Sequence, residues 1–116
     1  MTKSVTIYHN PRCSKSRETL ALVEAQGIQP QVVLYLETPP DHAAIKTLLK
    51  QLGFDSARQL MRTKEDLYKQ LNLADASEEQ LIAAMVSNPK LIERPIVIVG
   101  HQARLGRPPE QVLEIL

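Results

Sequence analysis

A chain of 116 residues is large enough for one hydrophobic core and short for two ordinary domains, so a single domain is expected. Its make-up, 43% hydrophobic and 23% charged, is that of a soluble globular protein, and a net charge of +1 offers no general footprint for nucleic acid or a membrane surface. One cysteine excludes an internal disulfide framework and a multi-cysteine metal site.

Val5, Ile7 and Tyr8 form a short run of strand formers, so a buried strand ending near Tyr8 is expected. Asn10-Pro11 is a turn signal. Leu20, Leu22 and Val23 then share one broad face, which starts a helix close to Cys13, and Gly27 stops it after about Ala25. Residues 32–36, Val-Val-Leu-Tyr-Leu, read as a second buried strand, parallel to the first because a helix separates the two. Residues 41–88 read as an all-helical insert within the one domain. Asp41 is an N-cap candidate, Ile45, Leu48, Leu49 and Leu52 follow a helical face, and Gly53 ends it. Residues 57–61 suit a short helical turn. Thr63-Lys64-Glu65-Asp66 and Ser77-Glu78-Glu79-Gln80 both resemble capping boxes.

Ile96-Val97-Ile98-Val99 is a continuous apolar run and reads as a central strand, with Pro95 tolerated at its start. Gly100-His101 is a turn, and residues 102–105 form a short returning strand. Pro109 opens a last helix, whose apolar face is expected at Val112, Leu113 and Leu116. The order is β-α-β, helical insert, β-β-α. That is a thioredoxin-like layout, an α/β fold with a four-stranded mixed sheet.

Cys13 sits where the first strand hands over to the first helix. The leading N–H groups of a helix lack internal partners and stabilise an anion. Arg12, Lys15 and Arg17 add full charges nearby. A free thiol titrates near about 8.5, and a depression of roughly two units, about 2.7 kcal/mol, makes thiolate the majority form at neutral pH. Cys13 is therefore the candidate nucleophile, against the alternative of a cysteine packed as a small hydrophobe. Other constellations fail. A phosphatase loop needs an arginine six positions after the cysteine, where Thr19 stands. No Gly-x-Gly-x-x-Gly or Walker-type loop is present, and no His/Cys/Asp cluster has metal spacing, so no metal is expected. No apolar run approaches the roughly 18 residues of a membrane span, and there is no signal peptide. The lone thiol suits a reducing cytoplasm.

The stretch His9-Asn10-Pro11-Arg12-Cys13-Ser14-Lys15-Ser16-Arg17 resembles the active-site signature of the glutaredoxin-dependent arsenate reductases, the ArsC-type family of thioredoxin-fold proteins. The better-known members have Gly-Thr where this chain has Ser14-Lys15. The resemblance implies that Cys13 attacks arsenate while Arg62, Arg94 and Arg107 hold the oxyanion. It also implies that His9 tunes the cysteine or orients its loop and that Pro95 follows a cis bond. Ser16, like Ser14, is placed to tune the thiolate, to donate to substrate or to satisfy a helix-start N–H, and the sequence leaves these open. Glutathione is then the co-substrate and glutaredoxin the resolving partner, with no tightly bound cofactor and a monomer as the working unit. An external thiol is chemically required, since position 16 is Ser and no second cysteine exists. Two other readings stay open. One is a glutathione-dependent thiol oxidoreductase with another substrate. The other is a non-enzymatic partner of RNA polymerase, as in the related Spx-type regulators.

Overall fold

The computed structural model describes residues 4–116, which fall into two compact units. The first combines the segment up to Thr38 with Arg94–Leu116, and the second is Pro39–Glu93.

The first unit is a four-stranded sheet. Its strands are β1 (Val5–Tyr8), β2 (Gln31–Val33), β3 (Ile96–Val99) and β4 (Gln102–Leu105), in the order β2-β1-β3-β4. β2 runs parallel to β1, with Ile7 opposite Val32, whereas β1–β3 and β3–β4 are antiparallel. This is the thioredoxin-like arrangement. α1 (Ser14–Ala25) makes the crossover from β1 to β2. Val5, Ile7, Val23, Val97, Val99, Val112 and Ile115 form the core cluster. Each such side chain, fully buried, contributes about 1.5–3 kcal/mol of transfer free energy.

Three expectations need correcting here. The second strand is neither five residues long nor buried. It lies at the sheet edge, it stops at Val33, and Val32, Leu34 and Leu36 are exposed. The chain turns instead at Leu34, whose carbonyl accepts from the N–H groups of Glu37 and Thr38. That turn tucks Tyr35 into the interior, stacked on Tyr8 with ring centroids 6.4 Å apart. The final helix is a 3₁₀ segment, Pro109–Glu114. Its three-residue period buries Pro109, Val112 and Ile115 and leaves Leu113 exposed. The third concerns only the extent of the α1 face: Val23 is in the core and Leu20 and Leu22 pack against it as expected, but the buried face also takes in two polar residues, Ser16 and Thr19.

The second unit follows helix rules closely. α2 (His42–Leu52) starts at Asp41, whose Oδ1 accepts from the Ala44 N–H at 2.8 Å, and ends at Gly53 with φ 74°. It buries Ile45, Leu48 and Leu52. A 3₁₀ turn, Ala57–Leu60, is capped by a Ser56–Gln59 box. α3 (Asp66–Gln70) has no side-chain cap: Thr63 does not serve, and Glu65, the actual N-cap residue, pairs with Arg62 instead. α4 (Glu78–Ser87) does use the Ser77–Gln80 box. No described helix is long and apolar enough to cross a membrane.

Candidate active site

The loop between β1 and α1 is built from its own polar groups. Asn10 Oδ1 accepts from the Arg12 N–H at 3.0 Å, and the Asn10 carbonyl accepts from the Cys13 N–H at 3.0 Å. Arg17 Nη1 donates to the Pro11 carbonyl at 2.9 Å. Cys13 is the N-cap residue of α1, in an extended conformation, and it is buried. Burial alone pushes its thiol up. The N–H of Ser16, the Arg94 charge, the N–H of Lys15 and a hydrogen bond from Arg94 together outweigh that, so its pKa lies below the ordinary cysteine value. A thiolate at this position is the expected outcome of a helix start with a cation beside it.

Behind the thiol, Ser16 is a hub. Its Oγ lies 2.6 Å from His9 Nδ1 and accepts from the Asn10 N–H at 2.9 Å. A hydroxyl has one proton and two acceptor sites. Asn10 uses one acceptor site, and His9 takes either the proton or the other one. Ser16 therefore addresses Cys13 through its backbone N–H, while its hydroxyl fixes the loop. His9 is 6% exposed, and burial, reinforced by the nearby Arg17 charge, lowers its pKa. Both effects favour the neutral imidazole, and its polar link runs to Ser16.

Arg94 and Arg107 come from the same end of the sheet as the Cys13 loop, since Ile96 at the start of β3 is opposite both Tyr8 at the end of β1 and Leu105 at the end of β4. The Arg94–Pro95 peptide bond is cis, and so is Arg107–Pro108, which the sequence reading did not foresee. Arg94 places its guanidinium at the Cys13 sulfur. Its Nε and Nη1 are buried and have no hydrogen-bond partner among the described residues. Arg107 is exposed, and its Nε donates to the Arg94 carbonyl at 2.9 Å. Gly106 donates to the Pro95 carbonyl at 3.0 Å, and a Cβ there would collide with the Thr19 side chain and lie 2.7 Å from Pro95 Cγ. Thr19 is itself pinned, donating to the Lys15 carbonyl at 2.8 Å. Gly106 and Thr19 thus let β4 approach α1 closely. Neither was singled out from the sequence, since a lone Gly-Arg-Pro carries no signal of what packs on it.

Arg62 belongs to the second unit. Met61 bridges to Ile92, the Arg62 N–H donates to the Leu91 carbonyl at 2.7 Å, and Nη1 pairs with Glu65 at 2.8 Å. Cys13, His9, Ser16, Arg94, Pro95 and Arg107 all lie in the first. Arg104 bonds Glu114 at 3.0 Å. No group of three or more potential metal ligands occurs among the described residues.

A model of the ArsC family matches residues 8–115. The chain is 70% identical to the Escherichia coli protein YfgD, described as uncharacterized, over 100% of this chain and 99% of that one. It is 56% identical to a Haemophilus influenzae arsenate reductase over 97% of this chain and 99% of that one. Among solved structures it is similar to an arsenate reductase from Vibrio cholerae, with 63% identity, a TM-score of 0.98 and 100% of each chain covered.

Proposed function

The chain belongs to the ArsC family, and from that premise we propose that it reduces arsenate to arsenite, with Cys13 as the nucleophile and glutathione and glutaredoxin as reductants. One observation supports this reading most directly. The Arg94 guanidinium stands at the Cys13 sulfur, and two of its nitrogens, Nε and Nη1, are buried with no partner among the described residues. Buried donors left without acceptors are costly. An arsenate oxyanion at this point supplies acceptors for both and receives a planar, permanently charged fork in return.

In this mechanism the Cys13 thiolate attacks arsenic(V), forming an S–As bond while one arsenate oxygen leaves as water. Arg94 takes the charge that builds on the remaining oxygens. Arg107, tied to the Arg94 carbonyl through Nε, adds a second permanent positive charge beside it. The glutathione thiolate then attacks the Cys13 sulfur of the adduct. A disulfide forms between Cys13 and glutathione, the S–As bond breaks, and its electron pair stays on arsenic, which is now trivalent. Glutaredoxin attacks the mixed disulfide, takes the glutathione and returns the Cys13 thiolate. His9 and Ser16 keep the loop amides aimed at the sulfur throughout.

The test is arsenate-dependent NADPH consumption, coupled through glutathione reductase with glutathione and glutaredoxin present. Turnover by the wild type and its loss in Cys13→Ser is the expected result. A folded wild type that leaves NADPH untouched in arsenate overturns the proposal.

A further inference from the structure

The Cys13 loop has a second face that the reaction above leaves unused. Residues 9–12 form one wall of a groove of about 250 Å³, and Leu34, Leu36 and Glu37, from the turn after β2, form the other. This size, just below the usual range for small-ligand pockets, suits part of a short peptide, with the rest reaching out of the groove. Leu34 and Leu36 are 36% and 42% exposed, so the groove keeps apolar surface in contact with water. Arg12 and Glu37 bring one positive and one negative group to the lining. Opposite charges flanking apolar side chains complement a molecule that carries a carboxylate, an ammonium and a methylene stem. Arg12 in the groove lining is the residue before the only cysteine of the chain.

We propose that this groove binds the small thiol co-substrate, a zwitterionic thiol peptide of the glutathione class. Arg12 receives a carboxylate, Glu37 the ammonium, and Leu34 and Leu36 the stem. The assignment rests on the reading that an external thiol turns Cys13 over, and it makes Arg12 and Glu37 specificity residues for that thiol.

Its test needs no arsenate. Cys13 is converted to its mixed disulfide with thionitrobenzoate. An incoming thiolate attacks the Cys13 sulfur, the bond to thionitrobenzoate breaks, and the coloured anion leaves with the electron pair while a new disulfide forms. The rate with glutathione is divided by the rate with 2-mercaptoethanol, so that changes in Cys13 itself cancel. Arg12→Glu and Glu37→Lys should each lower that ratio about tenfold, the scale of one lost charge-assisted hydrogen bond. Glu37→Lys is the decisive arm. Added positive charge accelerates glutathione, a net anion, if only general attraction operates, whereas loss of the ammonium contact slows it. A ratio that is unchanged or raised in Glu37→Lys overturns the groove assignment. A protein that shows the preference but does not turn over arsenate keeps the groove and loses the arsenate reading, and the converse result does the reverse.

Discussion

The two units of this chain are held together by different kinds of rule. In Pro39–Glu93 the buried residues are the apolar ones that helical spacing picks out, such as Ile45, Leu48 and Leu52, and polar groups cap helix ends. In the Cys13 unit three polar residues, His9, Ser16 and Thr19, are buried and bonded, and Arg94 keeps two buried nitrogens without a partner among the described residues. Burying polar groups costs free energy unless their bonds are satisfied. The first unit accepts that cost to hold a thiolate and its donors, while the second follows the cheapest local solution. The contrast predicts that substitutions among the polar groups around Cys13 change activity with little loss of stability, whereas core truncations in Pro39–Glu93 lower stability with little change at Cys13.

The largest effect is expected at Arg94. Arg94→Ala should lower arsenate turnover by about 10²–10³, as removal of one preorganised oxyanion donor does. It should also raise the Cys13 pKa, because one of the groups favouring the thiolate is gone. The ultraviolet absorbance of the thiolate during a pH titration reads this directly. Arg94→Lys should not restore turnover, since an ammonium lacks the planar fork. Thermal stability should hold, because the substitution removes two unsatisfied buried donors. A variant that loses stability and activity in parallel would erase the distinction between the units.

Leu48→Ala is the matched experiment in the second unit. Leu48 is 2% exposed on α2, and truncating a buried leucine costs about 2–5 kcal/mol. The denaturation midpoint should fall, while the thiolate titration of Cys13 stays in place at temperatures where the variant is folded. Gly106→Ala comes next and belongs to the first unit again. The new methyl meets Thr19 and Pro95, and overpacking of this kind costs about 1–3 kcal/mol. Adding Thr19→Ala should recover part of the loss, which a double-mutant cycle measures.

How much of this was legible in the sequence follows the same division. Asp41, Gly53 and the Ser77–Gln80 box behave as their local patterns suggest, because capping involves residues within a few positions of one another. Thr63 fails although its pattern is similar, since Glu65 is drawn to Arg62 and α3 starts there. The apolar run 32–36 looks like a buried strand, yet whether a strand is central or at the edge depends on pairing, which no local window contains. Leu113 and Ile115 exchange roles because the last turn winds with three residues rather than 3.6. At the site, a cysteine at a helix start with cations around it was readable from chemistry. That the Ser16 hydroxyl turns to His9, and that Arg107 bonds the Arg94 carbonyl, depend on positions far apart in the chain.

The smallest expected effect is the pH dependence of stability, and its sign can be worked out for both buried groups. The Cys13 pKa is lower in the folded protein than in a free thiol. Between those two values the unfolded chain binds the extra proton, so stability rises with pH across that window. The contribution is complete above the free-thiol value and is lost as pH falls through the folded one. His9 has the same sign by a different route. Burial, with Arg17 second, keeps it neutral when the unfolded imidazole would protonate, so its contribution is complete above about 6.5 and fades as pH falls below that. Denaturation midpoints followed from mildly acidic to alkaline pH should therefore climb through two separate windows. Cys13→Ser should flatten the upper window and leave the lower one, whereas His9→Gln should flatten the lower one while the amide side chain can still reach Ser16. If Cys13→Ser leaves the upper slope intact, the amides and Arg94 are not holding a thiolate, and the feature that most sets this unit apart from its helical partner falls with it.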